Sequence, residues 1–347
     1  MSIQAIDLFC GIGGLTHGFI KAGIPVIAGI DIDETCEFAF TKNNNSKFIL
    51  HDVGTYPSQN ITNMYSENKT KVLMGCAPCQ PFSSLQKNTQ DKTKESRWGL
   101  LYSFLEHIEK VKPEIVSMEN VPSLRNEIVF KDFIEKLEEL NYHVHYQVVD
   151  ASDYGVAQRR KRLLLLASKL GEIKFIEPTH LDNKKTVRDV IGKMPKIKNG
   201  EIHKSDPLHR AASLSKLNIK RIKSSKPGGT WKDWDRELLP QCYLRDSGKT
   251  FGSVYGRMSY DDVSPTLTTQ FNRYGTGRYG HPEQDRAISL REGALLQSFP
   301  ENYQFVESDN YNITDIARQI GNAVPVRLGE VIGISIKQHL EELGYEL

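Results

Sequence analysis

The first 168 residues alternate between short apolar runs and stretches with helical spacing. Ile3 to Phe9 is apolar, and Leu15, Phe19, Ile20 and Ala22 follow with the repeat of a helix face. Ile24 to Ile30 is a second apolar run, Phe48 to Asp52 reads as a third short strand, and Val72 to Met74 is another run that ends at Gly75. Leu100, Phe104, Ile108 and Val111 predict a helix over 99–111, Pro113 to Met118 a buried strand, and Ile128 to Leu140 a further helix. Strands are expected near 143–149 and 163–167. Strands alternating with helices in this way predict an α/β fold with a doubly wound, mostly parallel sheet.

Beyond about residue 175 the apolar periodicity thins, while Lys, Ser, Gly and Pro become more frequent. Pro227 to Trp234 reads as loop. Phe271 to Gly280 interleaves aromatics, arginines and glycines, which suits either a surface that hugs a nucleic-acid backbone or a glycine-rich hairpin. Arg291 to Phe299 is helical, and Ile316 to Leu340 returns to a long helical repeat. Two α/β segments thus bracket an irregular insert, with a larger domain expected at 1–178 and 306–347 and a smaller one at 179–305.

Composition adds boundaries. The 347 residues are 39% hydrophobic and 25% charged, ordinary for a globular chain. No apolar run approaches a membrane span, and the N-terminus lacks the layout of a signal peptide. Five cysteines without framework spacing suit a reducing cytoplasm. Net charge is only +2, yet 159–232 holds twenty Lys/Arg against six Asp/Glu. A surplus of that size in one segment reads as a face for a polyanion, with a solvated loop region as the bland alternative.

Candidate chemistry concentrates in three places. The first is Leu73-Met74-Gly75-Cys76-Ala77-Pro78-Cys79-Gln80, a strand followed by a proline-stiffened loop with two thiols. It can be read as a redox pair, as half of a zinc site, as two unremarkable buried cysteines, or as the setting of a lone thiolate nucleophile at Cys79. The second is the strand–turn–helix at Asp7-Leu8-Phe9-Cys10-Gly11-Ile12-Gly13-Gly14, where glycines let backbone approach a ligand. The third is the acid that ends the second strand, Asp31, placed to accept hydrogen bonds from ribose hydroxyls, with Asp33 suited to capping the following helix.

In order along the chain, these pieces resemble the DNA (cytosine-5)-methyltransferases. The glycine-rich turn is similar to the family's first motif, Pro78-Cys79-Gln80 to its nucleophile motif, Glu119-Asn120-Val121 to its second catalytic motif, and Gln158-Arg159-Arg160-Lys161-Arg162 to its arginine motif. Arg291 to Pro300 resembles the motif that supports the recognition domain, and Gln319 to Pro325 the last motif, which returns to the cofactor pocket. The resemblance implies a methyltransferase fold with a basic target-recognition domain, S-adenosylmethionine as cofactor, and double-stranded DNA as substrate. It implies cofactor contacts from Phe9, Gly11, Gly13, Gly14, Asp31, Ile32, Asp52, Pro78, Leu101, Asn322 and Val324, and no metal.

It also implies a mechanism. Cys79 adds to carbon 6 of a flipped cytosine, and a protonated Glu119 steadies ring nitrogen 3. Arg162 contacts the base and orients Glu119, while Arg160, two residues away on the expected strand, lies near the nucleotide or its phosphate. Water or hydroxide removes the carbon-5 proton, and Ser84 to Trp98 is the stretch expected to cover the base. Cys76 departs from the family pattern and receives no role. A restriction-modification setting, a cognate endonuclease and monomeric action are further expectations. The alternatives are a tRNA cytosine-5 methyltransferase and, in another class, a DNA-binding regulator without chemistry.

Overall fold

The computed structural model describes residues 3–78, 95–245, 252–308 and 310–345. By contact density the chain divides into two units: Met1–Asp150 with Lys161–Pro178 and Val324–Leu347, and Ala151–Arg160 with Thr179–Ala323.

The first unit follows the alternation read from the sequence. β1 (Ile3–Leu8), α1 (Gly14–Lys21), β2 (Val26–Asp31), α2 (Glu37–Asn44), β3 (Lys47–Leu50), α3 (Ser58–Met64), β4 (Thr70–Gly75), α4 (Glu95–Val111), β5 (Ile115–Asn120), α5 (Ile128–Glu139), β6 (His143–Asp150) and β7 (Lys161–Ser168) succeed one another. The strands form a sheet in the order β3-β2-β1-β4-β5-β7-β6. β3, β2, β1, β4 and β5 pair in parallel, and β7 runs antiparallel to both β5 and β6. Helices cover both faces, so the central strands are buried along nearly their whole length; all six residues of β5 are buried, including Ser117, Glu119 and Asn120. The strand order reverses between β1 and β4. In open α/β sheets the crevice at the carboxyl ends of strands beside such a reversal is where ligands bind.

In the second unit, regular structure is sparse. It holds α6 (Val187–Ile191), a short β8–β9 hairpin (Ile202–His203 and Asp206–Arg210), α7 (Lys216–Ser224), α8 (Leu290–Leu296) and α9 (Ile313–Asn322), joined by turns and 3₁₀ segments. Its packing is nevertheless dense. Trp231 and Trp234, expected in a loop, are buried with Ile222, Tyr274 and Ala287, and the Trp231 and Tyr243 rings stack 4.6 Å apart. The Phe271–Gly280 stretch sorts by chemistry: Phe271, Tyr274 and Tyr279 are buried, while Arg273 and Arg278 are exposed. Its aromatics are therefore core residues, and only its arginines remain for an external partner.

A buried ion pair organises the end of this unit. Both Nη atoms of Arg286 reach the carboxyl of Glu292 at 2.7 Å, and Ser289 completes a capping box with the same carboxyl at the start of α8. Burial alone would raise the Glu292 pKa; the Arg286 guanidinium overrides it and brings it down to about 2. Arg291 pairs with Asp206 at 2.7 Å.

The chain returns to the first unit at Val324 and ends in α10 (Val326–Glu342). The long helical repeat expected over 316–340 is thus two helices, broken at Ala323-Val324-Pro325 because Pro325 lacks an amide proton and cannot continue α9. The sequence boundary at 305/306 accordingly falls later, at 323/324. α10 lies directly against α1. A side chain at Gly18 would begin 2.4 Å from the Val326 carbonyl oxygen and 2.5 Å from the Glu330 amide nitrogen, and one at Gly329 only 2.9 Å from the Leu15 carbonyl oxygen. Because the clash is with backbone, it cannot be relieved by turning a side chain. Gly18→Ala gains about 1 kcal/mol of helix propensity but forces the helices apart at a cost of roughly 1–3 kcal/mol or more. A net loss is expected, read as a lower midpoint in thermal unfolding.

Candidate active site

Two groups of side chains lie at the carboxyl ends of the first unit's strands. The first surrounds the turn after β1. Phe9, Gly11 and Gly13 all have positive φ, at 62°, 50° and 83°. For Phe9 that conformation is strained, and it is held by its N–H donating to the Ile30 carbonyl at 2.8 Å, beside that of Cys10 at 3.2 Å. Gly11 donates its N–H to Asp31 Oδ2 at 2.7 Å, and Asp33 donates to Asp31 Oδ1 at 2.9 Å. Asp31 therefore ties the glycine turn to the end of β2. Burial raises its pKa, while these amides pull the other way. Asp33 caps the next turn through Thr35, as its position suggested.

The remaining residues of this group are placed as follows. Ile32 is 60% exposed just past β2. Asp52, after β3, accepts from the Gly54 N–H at 2.8 Å. Pro78 is exposed beyond β4, and Val324 is buried at the return into the first unit. Leu101 is buried within the core beside β1 and β4, whereas its neighbour Leu100 is the residue that approaches the Asp52–Gly54 turn. Asn322 is exposed at the end of α9 and belongs to the second unit. No heavy atom stands within 4 Å of where a side chain on Gly11 would begin. An open glycine turn, an exposed apolar side chain and an acid whose oxygens can each accept a further hydrogen bond fit a nucleoside.

Beneath the turn, Asp7 is buried in β1 and accepts from the Thr16 hydroxyl at 2.7 Å through Oδ2, while Oδ1 has no hydrogen-bond partner. Burial, with a smaller push from Asp31, raises its pKa to about 7 against the opposing hydrogen bonds from the Thr16 side chain and backbone.

The second group joins β4, β5 and β7. Glu119, 2% exposed, lies opposite Leu164 in the antiparallel β5–β7 register, which sets Arg162 diagonally on the same face. Arg162 Nε is 2.7 Å from Glu119 Oε1, close enough for an ion pair although Oε1 has no aligned hydrogen bond. On the other side the Cys76 thiol donates to Glu119 Oε2 at 2.7 Å. Asn120 donates its side-chain N–H to the Ala77 carbonyl at 3.0 Å and accepts from the Val121 N–H at 2.8 Å. β5 thus grips the segment that leads into Cys79 at two successive residues. Cys76 and Asn120 are the members that sequence reasoning missed. Asn120 was legible in the Glu119-Asn120-Val121 motif; Cys76 had no signal beyond its odd identity.

Arg160 departs from expectation. β7 begins at Lys161, so Arg160 does not share the strand face of Arg162. It is 2% exposed in the second unit, and its guanidinium donates to the carbonyls of Leu267, Gly321 and Ala323 at 3.0, 3.0 and 3.3 Å. These acceptors engage both Nη groups, while Nε has no hydrogen-bond partner. Arg159 faces away, in an exposed pair with Asp262 at 2.7 Å. Cys79, and the stretch from Ser84 to 94 within the expected cover, lie outside the described residues. Among the described residues no group of three or more His, Cys, Asp or Glu could hold a metal ion, and no helix is long and apolar enough to cross a membrane.

Residues 3–338 match the model of the C-5 cytosine-specific DNA methylases. The chain belongs to that family. This methylase is 51% identical to the Type II methylase M.HgiDII of Herpetosiphon aurantiacus, over 97% of this chain and 96% of that one. It is 31% identical to the Type II methyltransferase M1.HphI of Haemophilus parahaemolyticus, over 97% and 87%. In fold it is similar to a candidate DNA modification methyltransferase encoded within an E. coli prophage, with a TM-score of 0.73 at 22% identity over 98% and 100% of the two chains. The protein is a DNA cytosine-5 methyltransferase, and its sheet order places the glycine turn and the Glu119 group at the carboxyl ends of β1, β2, β4 and β5.

A pH effect on the methylase follows from Asp7. Between pH 4 and 7 the unfolded chain gives up this proton while the folded one keeps it, so stability falls as pH rises through that window. Asp7→Asn removes this dependence. Relative to the native chain, the variant is expected to gain up to about 4 kcal/mol from pH 4 to pH 8, measured by denaturant unfolding at each pH.

Proposed function

We propose that the protein transfers a methyl group from S-adenosylmethionine to carbon 5 of a cytosine flipped out of a specific double-stranded DNA sequence, through a transient bond from the Cys79 sulfur to carbon 6. The observation that carries this reading is the Glu119 carboxyl. It is buried at the end of β5, with Arg162 at one oxygen, beside a segment that Asn120 ties down immediately before Pro78-Cys79.

Carbon 5 of cytosine is a weak nucleophile. Addition of a thiolate to carbon 6 makes the ring an enamine, and charge builds toward ring nitrogen 3. A carboxyl held at that edge, donating a hydrogen bond to nitrogen 3, stabilises the charge where water is excluded. Arg162 would hold that carboxyl in place and face the base's carbonyl oxygen. Loss of the carbon-5 proton and departure of the thiolate from carbon 6 then restore the ring, now methylated. The target carbon is unreachable within stacked DNA, which is why flipping belongs to the reading. When bound, S-adenosylmethionine supplies an electrophilic methyl group. Phe9, Gly11, Gly13 and Gly14 would line its backbone side, Asp31 would take the ribose hydroxyls, and Ile32 and Asp52 would meet the adenine, with Pro78, Leu101 and Val324 completing the first unit's part of the pocket.

The second unit would read the DNA. Its support is the basic surplus of 159–232 together with the outward Arg273 and Arg278. The similarity to Type II methylases supports a restriction-modification setting, with a cognate endonuclease at the same site and a methylase acting as a monomer.

Cys79→Ser is expected to abolish methyl transfer, and Glu119→Ala to lower kcat by about a hundredfold or more. The native chain should form a stable covalent complex with duplex DNA carrying 5-fluorocytosine at the target; a protein that methylates DNA without forming that complex would refute the covalent step. Bisulfite sequencing of DNA from cells expressing the protein would identify the site, and methylation confined to one short sequence is the expected outcome.

A further inference from the structure

We infer that Cys76 is a positioning residue for methyl transfer: its thiol fixes the rotation of the Glu119 carboxyl and couples it to the loop that carries Cys79. This rests on the role proposed above for Glu119. The carboxyl is held at both oxygens by different strands, with Arg162 of β7 at Oε1 and the Cys76 thiol, one residue past β4, at Oε2, each at 2.7 Å. Arg162 contacts one oxygen only, and that contact lacks the alignment of a hydrogen bond. A donor on the second oxygen sets the rotation of the carboxyl.

Backbone fixes the donor in turn. The Cys76 N–H donates to the Leu8 carbonyl at 3.4 Å, at the end of β1. The adjoining backbone is tightly packed as well: a side chain on Gly75 would begin 3.0 Å from the same carbonyl oxygen. The thiol therefore stands on a rigid strand end rather than on a loop. Cys76 is also three residues before Cys79, and Asn120, next to Glu119, holds the intervening Ala77. The acid and the short segment that leads to Cys79 are thereby held together by two bonds. A small side chain with one donor is what the position requires. Serine would serve, and alanine and glycine would not.

The test compares steady-state methyl transfer by Cys76→Ala, Cys76→Gly and Cys76→Ser on duplex DNA containing the mapped site. Loss of the hydrogen bond that orients the carboxyl predicts about a three- to tenfold lower kcat for Ala and Gly, with KM for DNA within about twofold because the DNA contacts are untouched. Serine is expected to recover most of the loss. The inference is overturned by an unchanged kcat in Ala and Gly, by an effect confined to KM, or by serine as impaired as alanine. Should Ala fold poorly, Gly, which adds no atoms, still decides the matter. Glu119→Ala run in parallel separates the two readings. If it keeps its kcat, the role of Glu119 fails and this inference with it. If it loses kcat while Cys76→Ala and Cys76→Gly do not, only the inference about Cys76 fails.

Discussion

A carboxyl group at the buried end of a β-strand needs a polar partner that reaches it without leaving the core, and the first unit meets that need through strand direction. β7 runs against β5, so residue 164 faces residue 119 and Arg162 falls on the diagonal at 2.7 Å. A polar group buried there without that partner would be costly. The pair therefore constrains the register of β5 against β7, and with it the height at which Asn120 meets the segment after β4.

The other end of the site depends on close backbone approach. Glycines 18 and 329 let α1 and α10 meet at main-chain distance, which seats α1 and therefore the turn that precedes it. The turn keeps a strained Phe9 because the Ile30 carbonyl and the Asp31 carboxyl accept its amides. Asp7 below it is a second buried acid, but without a cation; it is accommodated by holding its proton, with its pKa raised to about 7. Of the two buried carboxyls in this sheet, Glu119 has an arginine and a thiol beside it, and Asp7 has only Thr16.

The second unit shows how an irregular segment becomes ordered. With few strands and short helices, it uses aromatic stacking around Trp231 and Trp234 and a bidentate Arg286–Glu292 pair in place of a hydrogen-bonded sheet. Arg160 belongs to this economy of carbonyl and guanidinium contacts. Its neighbours in the sequence motif suggested catalysis, while its hydrogen bonds show a brace to the backbone at Leu267 and at the end of α9.

The alternation of apolar runs with helical repeats determined the α/β class, since each period reports which face of an element is buried. The ordered motifs marked Asp31, Glu119 and Arg162 because those residue types occur at strand ends. Local sequence could not show that β7 turns antiparallel, that Pro325 splits one helical repeat in two, that the aromatics of 271–279 point inward, or that Arg160 is spent on carbonyls. Nor could it show that the Cys76 thiol reaches Glu119, forty-three residues away in the chain. Each of these is a contact between segments distant in sequence, decided by register and packing, and periodicity carries no information about which distant partner a side chain will find.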